Sequence, residues 1–387
     1  MRPTPEIWGL VEELGLAGSA LLADPRLPRF VELDGKLHRL APGPQTLLLT
    51  RLLSPLGKLR LLAEPFVRSG TEPRESVRAF FARRLGWQVA DRLVAPFVSG
   101  IWAGDADRLS AASAFPVLKR WEIEHGSLLR GALSRRPRHE GSSRPVPRGL
   151  LSFSEGLETL PRALADRLGP RLRTESPVRT LKPDGKGWRI ETERETFPAA
   201  RVVVACPASE AARLLEPLDP SASRALAEVP QPPLAVLHFS WPAAAFRRPL
   251  HGFGHLVVPT HDRRVLGAVW SSCLFAGRAP EGRVLVTAFV GGARDSATPS
   301  LPDADLAELA GRELAVSLGA GSPASLVRVT RYARALPQYD LDHESRMQAV
   351  AHAEARMPGL SLIGNYRGGI SVGDVVRHGL AATGAGT

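Results

Sequence analysis

Residues 361–386 read "SLIGNYRGGISVGDVVRHGLAATGAG". An apolar run ends at Gly364, a loop with Gly368 and Gly369 follows, and Asp374 lies near the start of a predicted last helix. A strand, a glycine loop and a helix N-terminus suit a phosphate or a flat cofactor, because backbone N–H groups and the positive end of the helix dipole face the ligand. This stretch therefore predicts an α/β layer with a bound cofactor.

A second strand–turn–helix unit supports the same interpretation. The segment "RVVVACPASEAARLL" (201–215) contains an apolar strand, a turn at Pro207 and a helix from Ser209. Just upstream, a hairpin is predicted to turn at Asp184-Gly185. Strands followed by turns and helices are typical of a nucleotide-binding α/β layer.

The pattern changes to β-structure between residues 232 and 292. Four strand segments are separated by turns: "PLAVLHFSW", "GFGHLVVP", "RVLGAVWSS" and "RVLVTAFVGG". Near the N-terminus, residues 29–41 predict a hairpin that turns at Asp34-Gly35. These segments predict an antiparallel sheet with one covered face.

Helical patterns dominate between these β-regions. Residues 4–18 predict a first helix, 46–66 predict two short Leu-rich amphipathic helices broken near Pro55, and 76–104 predict further helix. Residues 133–148 are polar, basic and proline-containing, which predicts a surface loop. The Leu-rich helices suit either a bundle face or a membrane-surface face.

The composition restricts the class of protein. With 387 residues and 44% hydrophobic residues, the chain is expected to form more than one domain with a large core. The net charge of +11 is compatible with nucleic acid, anionic lipid or an acidic small molecule, but 6% aromatic residues argue against nucleic acid. Two cysteines build neither a disulfide framework nor a zinc site, and no secretion signal is recognisable, so a cytoplasmic setting is expected.

Catalysis by protein side chains alone has no recognisable motif in this sequence. HExxH and GxSxG are absent. His251 and His255 are predicted to face one side of a strand, but they lack the further ligands of a metal site. Asp340, Asp342, His343 and Glu344 cluster in "YDLDHE" (339–344), which favours a solvated helix start over a metal site. A cofactor is therefore expected to carry the reaction, with no metal.

The pattern as a whole resembles the flavin-dependent amine oxidase-like superfamily and, within it, the protoporphyrinogen oxidases. The resemblance runs from about residue 4 to the end and is carried, in the family's order, by "LPRFVELDGKLHRLAPGP", "ESVRAFFARRLG", "VAPFVSGIWAGDADRLSAASAFP", "GLETLPRALADRLG", "VVVACPASEAARLL", "GFGHLVVPTHDRRVLGAVWSS" and "LIGNYRGGISVGDVVRHGLAAT". One departure is expected from it: the family's N-terminal glycine-rich dinucleotide segment is missing ahead of Met1, through a misassigned start, gene degradation or supply by another chain.

The resemblance implies a multidomain α/β and α+β fold. Its parts are a discontinuous remnant of a Rossmann-like FAD-binding domain (1–20, 148–228 and 355–387), an antiparallel-sheet substrate domain (21–42 and 229–354) and a helical domain (43–147). The helical region matches the family's membrane-binding region, so peripheral attachment to the inner face of the cell membrane is expected, with the charge favouring anionic lipid.

The resemblance also implies an activity and its residues. The family binds FAD non-covalently, transfers hydride from a porphyrinogen to the flavin, and uses oxygen to reoxidise the flavin. The implied flavin-binding residues are Val178, Gly364, Ile370, Ser371 and Val372. The implied substrate-binding residues are Arg29, whose guanidinium would hold a propionate, with Leu256 and Val269 packed on the macrocycle.

Several alternatives stay open at this point. The substrate is either protoporphyrinogen IX or the four-propionate coproporphyrinogen III, and more basic residues around the pocket would favour the latter. Another amine oxidase-like flavoenzyme and an inactive tetrapyrrole-binding remnant are the other two interpretations. The sequence does not decide whether the protein is a homodimer.

Overall fold

The computed structural model describes residues 1–40, 49–70, 72, 74–134 and 146–384. Over these residues the strands, in chain order, are β1 Ala20–Leu22, β2 Arg29–Leu33, β3 Lys36–Leu40, β4 Leu151–Phe153, β5 Val178–Asp184, β6 Gly187–Thr192, β7 Thr196–Ala199, β8 Val202–Val204, β9 Leu234–Pro242, β10 Gly254–Val257, β11 Val265–Val269, β12 Arg283–Gly291, β13 Ser325–Tyr332 and β14 Leu360–Leu362.

The helices over the same described residues are also given in chain order. They are α1 Pro5–Glu13, α2 Pro55–Leu62, α3 Val77–Leu85, α4 Trp87–Val89, α5 Ala95–Trp102, α6 Ala111–Ala114, α7 Pro116–His125, α8 Leu128–Ser134, α9 Thr159–Leu168, α10 Ala208–Leu215, α11 Pro220–Ala227, α12 Ser271–Leu274, α13 Asp303–Leu318, α14 His343–Arg356 and α15 Val372–Thr383. Within the described residues, none of these helices combines the length and apolarity needed to cross a bilayer.

The chain divides into two compact units. Unit 1 comprises Met1–Leu22, Gly141–Pro230 and Asp342–Thr387, and unit 2 comprises Ala23–Glu140 and Gln231–Leu341. The predicted organisation differs in two respects: the helical segment and the large sheet fall in one unit, and α14 belongs to unit 1 rather than to the substrate domain. The reason for the second difference is packing, since Val350 and Ala353 of α14 are buried in the core of unit 1.

Unit 1 contains the predicted α/β layer. Strands β8 and β14 pair in parallel, with Leu360 opposite Val202 and Leu362 opposite Val204. Helices α10, α11 and α14 pack around them in one apolar core. Because parallel strands end at the same edge, the turn after Val204 and the loop after Leu362 leave the layer together, which is where α/β sheets bind ligands.

Unit 2 is built on a sheet of seven described strands in the order β13-β9-β12-β11-β10-β2-β3. The four strands predicted between 232 and 292 and the hairpin at Asp34-Gly35 are all present. One pairing corrects the antiparallel prediction: β10 runs parallel to β2, with Gly254 opposite Arg29. The pairing joins segments more than 200 residues apart, so the local pattern of either strand does not reveal it.

The two faces of this sheet differ in what covers them. Ala235, Leu237 and Ala288 point to one side, where Leu306, Ala310 and Leu314 of α13 bury them. We call this side the α13 face. The opposite side, which we call the cavity face, bears Phe289 and is approached by α5: a Cβ at Gly100 would lie 2.3 Å from Leu256 Cδ2.

The remaining helical predictions hold with different ends. The first helix stops at Glu13 rather than at residue 18, and the helix predicted over 76–104 is interrupted at Gly86, whose φ of 93° is outside the right-handed helical range. Helix α2 begins at Pro55, where a break was predicted. Residues 41–48 and 135–145 lie outside the described residues, and they include parts of three predicted segments: 29–41, 46–66 and 133–148.

A buried network of charged side chains holds the helices of unit 2 together. The guanidinium of Arg84, which is 0% exposed, pairs with Glu64 and donates to the carbonyl oxygens of Val67 and Gly126, each at 2.9 Å. Glu64 also accepts hydrogen bonds from the Ser127 hydroxyl at 2.6 Å and from the Leu128 amide at 2.8 Å. One carboxylate thus caps α8 while it neutralises the buried arginine.

Candidate functional site

The three predicted substrate-binding residues lie in one cavity of unit 2. Arg29, Leu256 and Val269 all line a space of about 330 Å³ between the cavity face and α5. Its other lining residues are Phe30, Leu40, Phe97, Gly100, Ile101, Phe253, Gly254, His255, Gly267, Ala268 and Phe289. Sequence positions 240 residues apart are therefore brought together in a mostly apolar pocket with one arginine at its wall.

Strand register explains why these side chains meet. Gly254 pairs with Arg29 on one side and with Val269 on the other, and Leu256 pairs with Gly267. The glycines leave the floor of the cavity free of side chains. A Cβ at Gly254 would lie 2.2 Å from the Ala268 carbonyl oxygen, so a larger residue would also disturb the pairing itself.

Arg29 is available to an anionic ligand. Its guanidinium lies over the Phe253 ring, 4.9 Å from the centroid, which orients it without neutralising it. In the part of the chain that the structure describes, no carboxylate forms an ion pair with Arg29. A free guanidinium at the wall of an apolar pocket is suited to bidentate binding of a carboxylate. The sequence analysis did not predict Phe253 as a site residue. Its position directly before Gly254 was the one signal that could have indicated this role.

His255 is a core residue rather than a ligand. It is 3% exposed, and its Nδ1 accepts a hydrogen bond from Trp270 Nε1 at 3.2 Å. Burial lowers the pKa of His255 to about 3, so the ring is neutral at pH 7. His251 lies before β10 begins, which corrects the prediction that both histidines face one side of a strand. Among the described residues no group of three or more His, Cys, Asp or Glu is placed to hold a metal ion.

The predicted flavin loop of unit 1 leads into α15. Ser371 caps this helix: its Oγ accepts from the Asp374 amide at 3.2 Å, and Asp374 Oδ2 accepts from the Ser371 hydroxyl at 2.5 Å and from its amide at 3.3 Å. The next two amides, those of Val372 and Gly373, have no acceptor among the described residues. Two free N–H groups at a helix N-terminus form a binding position for an electron-rich or anionic group.

The loop geometry depends on its glycines. Gly368 and Gly369 have φ of 71° and 137°, which ordinary residues adopt with strain. A Cβ at Gly369 would lie 2.3 Å from Asp374 Oδ2, and one at Gly364 would lie 2.5 Å from the Tyr366 ring. The loop therefore folds tightly onto the capped helix, with little room for side chains.

Tyr366 is a feature that the sequence analysis missed. It is fully buried in the core of unit 1, and its hydroxyl has no hydrogen-bond partner in the described part of the chain. Burial raises the pKa of this phenol well above its usual value. A buried hydroxyl without a hydrogen-bond partner costs free energy. The Tyr366 hydroxyl is therefore a potential hydrogen-bond donor to a polar group of a ligand bound at this loop. Its sequence context, between two glycine positions, gave no sign of burial.

Val178 lies apart from the loop along the chain but in the same core. It begins β5 and is a partly buried residue that packs against the core of unit 1, which contains Tyr366. It also lines a groove of about 490 Å³ beside Val203 and Cys206. The glycine turn, the free amides and the buried hydroxyl fit a flat, polar-edged cofactor such as a flavin; Ile370 and Ser371 lie in the connecting loop.

Comparison with known proteins places these observations in context. A family model described as "Flavin containing amine oxidoreductase" matches residues 1–385. The chain is 34% identical to the chloroplastic protoporphyrinogen oxidase of Oryza sativa subsp. japonica, over 97% of this chain and 75% of that protein. It is 27% identical to the coproporphyrinogen III oxidase of Bacillus subtilis (strain 168), over 92% of this chain and 82% of that protein. A solved structure described as "Putative protoporphyrinogen oxidase from Exiguobacterium sp. 255-15" has a TM-score of 0.76 at 22% identity. The match covers 97% of this chain and 84% of that chain, which shows a shared fold.

Proposed function

Because the chain belongs to the flavin containing amine oxidoreductase family, we propose that it is an FAD-dependent oxidase of protoporphyrinogen IX that forms protoporphyrin IX. The observation that carries the proposal is the cavity in which Arg29, Leu256 and Val269 converge. A porphyrinogen has a large apolar ring and peripheral carboxylates, and this cavity offers apolar walls with one free guanidinium. Several relatives named protoporphyrinogen oxidase match nearly the whole chain, which supports the same substrate.

The residues of unit 2 bind and orient the substrate. Arg29 would hold a propionate while Leu256 and Val269 pack against the macrocycle, so that the ring cannot rotate in the pocket. The apolar walls formed by Phe97, Ile101 and other side chains exclude water from the ring. No described side chain in the cavity is required as acid or base, because His255 faces the core and is neutral.

The residues of unit 1 would hold the cofactor. FAD, when bound, would supply a hydride acceptor that oxygen reoxidises; three such two-electron rounds, each accompanied by loss of a proton, consume three oxygens and release three molecules of hydrogen peroxide per porphyrin formed. The amides of Val372 and Gly373 at the start of α15 would stabilise negative charge on a bound flavin. Gly364 and Gly369 let the loop fold closely against Tyr366 and Asp374, where larger residues would clash.

A second candidate substrate is coproporphyrinogen III. The relative from Bacillus subtilis that carries this name matches 92% of the chain. The two substrates differ in the number of carboxylates and share the same ring chemistry, so the choice between them rests on the cationic residues that surround the ring.

The proposal is tested with purified protein supplemented with FAD. We expect a flavin absorption band that stays with the protein through gel filtration, and an oxygen-dependent rise in porphyrin fluorescence when protoporphyrinogen IX is added. Arg29→Met should raise KM for the porphyrinogen about 10- to 100-fold with kcat little changed, because a charged hydrogen bond in the pocket is lost. Arg26→Met is the matched control, since Arg26 is 89% exposed and pairs with Asp24 outside the cavity.

Three results would contradict the proposal in different ways. Oxidation of amines but not of porphyrinogens would indicate another flavoenzyme of the family. Porphyrin binding without flavin binding would indicate an inactive tetrapyrrole-binding protein. Equal kinetics of Arg29→Met and Arg26→Met would remove Arg29 from the substrate site.

We also propose that the protein attaches peripherally to a cytoplasmic membrane surface through α2 and the turn that follows it. Leu56, Leu59, Leu62 and Phe66 recur at helical spacing and are each more than half exposed, with Phe66 reaching 84%. An exposed apolar stripe of this kind is typical of a helix that lies in the interface of a bilayer. The net charge of +11 would favour anionic lipid.

The membrane proposal is tested by cosedimentation with vesicles of phosphatidylcholine and phosphatidylserine. We expect the double variant Leu56→Ser/Leu59→Ser to lower the partition coefficient by about tenfold or more, because two side chains no longer enter the interface. Val316→Ser is the control, since Val316 is 61% exposed but lies on α13, outside the exposed stripe of α2 and Phe66. Equal partitioning of the variant and the wild type would refute the role of α2.

A further inference from the structure

A single row of paired residues crosses the entire sheet of unit 2 and begins at the substrate cavity. Each member lies opposite the next on the neighbouring strand, from the β3 edge to the β13 edge: Leu40, Arg29, Gly254, Val269, Thr287, His238 and Arg328. We call this set the arginine row. It has an arginine near one end, over the cavity, and an arginine at the other end.

The arginine row lies on the cavity face. Val269 lines the cavity, and so does Phe289, which is two residues from Thr287 on the same strand and therefore points to the same side. The side chains beyond Val269 contact one another: His238 Nδ1 lies 3.0 Å from Thr287 Oγ1, which lies 2.8 Å from Ser271 Oγ. The polar half of the row thus lies on the same face of the sheet as the cavity, beyond the residues that line it, and is ordered by hydrogen bonds.

Among the described residues of unit 2, no carboxylate neutralises the charges along the row. Arg328 is exposed, and no carboxylate of the described chain pairs with it or with Arg29. Arg331, three residues further along β13, is neutralised by contrast, since it forms an ion pair with Asp303 at 2.6 Å. Arg283 lies on the same face, four residues from the row along β12, and donates to Ser240 Oγ at 3.0 Å, again without a carboxylate among the described residues. Free arginines on one face of a sheet are a binding surface for anions.

His238 contributes position rather than charge. Burial, together with the nearby Arg328, lowers its pKa, so the ring stays neutral at pH 7. Its Nδ1 is held by Thr287, and its second ring nitrogen has no hydrogen-bond partner among the described residues. The neutral ring keeps the space between Val269 and Arg328 polar without repelling the guanidinium.

We propose that Arg328 forms a second carboxylate-binding position, so that the arginine row binds a tetrapyrrole that carries carboxylates at opposite edges of the ring. The proposal rests on the proposed porphyrinogen oxidase function and, of its two candidate substrates, favours the four-carboxylate ring, coproporphyrinogen III. With neighbouring strands about 4.8 Å apart, the backbones of Arg29 and Arg328 lie about 24 Å from each other, and their long side chains can lean inward from both ends. A flat macrocycle with acidic arms on all four pyrroles has the shape and the charge to bridge them.

A second carboxylate-binding position at Arg328 would distinguish the two candidate substrates. The two propionates of protoporphyrin IX lie on adjacent pyrroles, so Arg29 can hold that edge while the vinyl-bearing edge faces Arg328 and gains nothing from it. Coproporphyrin III presents a propionate on each pyrrole, so both ends of the row are engaged. The four-carboxylate ring should therefore bind more tightly, and the difference should depend on Arg328.

The test measures binding of stable porphyrins to the full-length protein by quenching of tryptophan fluorescence at fixed salt. We expect Arg328→Gln to raise Kd for coproporphyrin III about tenfold and Kd for protoporphyrin IX less than twofold, because one charge-assisted hydrogen bond is lost only with the former. Arg328→Lys, which keeps the charge, should recover part of the affinity. Arg312→Gln is the control, since Arg312 is 74% exposed on α13 and faces away from the cavity side.

Each other outcome has a distinct meaning. Equal weakening of both porphyrins by Arg328→Gln, or no weakening of either, would overturn the second carboxylate position while leaving the proposed function intact. A wild-type protein that binds neither porphyrin would overturn the proposed function, and the role of the arginine row with it.

Discussion

Replacing Arg84 by Ala is expected to lower the free energy of unfolding by about 3–5 kcal/mol, because the substitution leaves buried carboxylates without their counter-charge. Arg84 is 0% exposed, Glu64 is 1% exposed and Glu122 is 0% exposed. A buried ion pair adds little net stability compared with a well-packed apolar pair, but removing one partner exposes the full cost of burying the other. The loss should appear as a lower denaturation midpoint in urea. Unfolding is monitored by the fluorescence of the tryptophans of unit 2.

The pKa shifts in this network agree with its charged state. Burial alone would raise the pKa of Glu64, but hydrogen bonds from Ser127, Leu128, Leu129 and Arg84 hold it below its usual value. For Glu122, burial is likewise outweighed by Arg83 and Lys119, and the pKa is lowered. Both carboxylates are therefore ionised at pH 7, and both depend on cations that are themselves largely buried.

Two variants serve as controls for the Arg84 prediction. Arg312→Ala removes an arginine from an exposed i,i+4 pair with Glu308 and should change the free energy of unfolding by less than about 0.5 kcal/mol. The double variant Arg84→Met/Glu64→Gln removes both charges and should recover part of the stability that Arg84→Ala loses. A loss below about 1 kcal/mol in Arg84→Ala would show that water or rearranged side chains replace the guanidinium.

The sequence was sufficient to predict local structure where backbone chemistry is specific. The hairpin turns at Asp34-Gly35, where both residues have positive φ, and glycine and aspartate favour that conformation. Strands β9 to β12 carry continuous apolar or alternating patterns, and α15 carries the Ser371–Asp374 capping box. In each case the determining interaction lies within a few residues of the chain.

Features that depend on distant segments were not predictable from those patterns. The parallel pairing of β10 with β2, the burial of Arg84 and the burial of Tyr366 all depend on neighbours that the local pattern does not specify. Arg29, Leu256 and Val269 could be placed in one site through the family resemblance, but the residues that complete their row, Thr287, His238 and Arg328, required the register of the sheet. The flavin-binding set in unit 1 stays a prediction.

Substituting Ala for Gly254 is expected to affect both stability and the site, because this glycine is the point at which β2, β10 and β11 meet in the arginine row. Its φ is 148°, and a Cβ would lie 2.2 Å from the Ala268 carbonyl oxygen and 3.0 Å from Val269 Cα. These are backbone atoms, so the clash can be relieved only by separating the strands. Strain and overpacking together predict a loss of about 2–6 kcal/mol in the free energy of unfolding.

The consequence for binding follows from the same geometry. Separating β10 from β11 would displace Val269 from its place opposite Gly254 and shift Arg29, which is paired to the other side of that residue. At temperatures where Gly254→Ala is still folded, affinity for porphyrins should fall at least about tenfold, since a displaced guanidinium loses its charge-assisted hydrogen bond. Fluorescence titration against protoporphyrin IX measures this loss directly.

Gly277→Ala separates the clash from the backbone strain. Gly277 also has a positive φ, 77°, but a Cβ there would meet no atom within 4 Å. Its substitution should cost about 1–2 kcal/mol, the cost of the left-handed conformation alone, and should leave porphyrin affinity unchanged. The prediction fails if Gly254→Ala is no more destabilised than Gly277→Ala and binds porphyrin as the wild type does. In that case the close approach of β10 and β11 does not form the floor of the cavity. The register that defines the arginine row would then have to be revised.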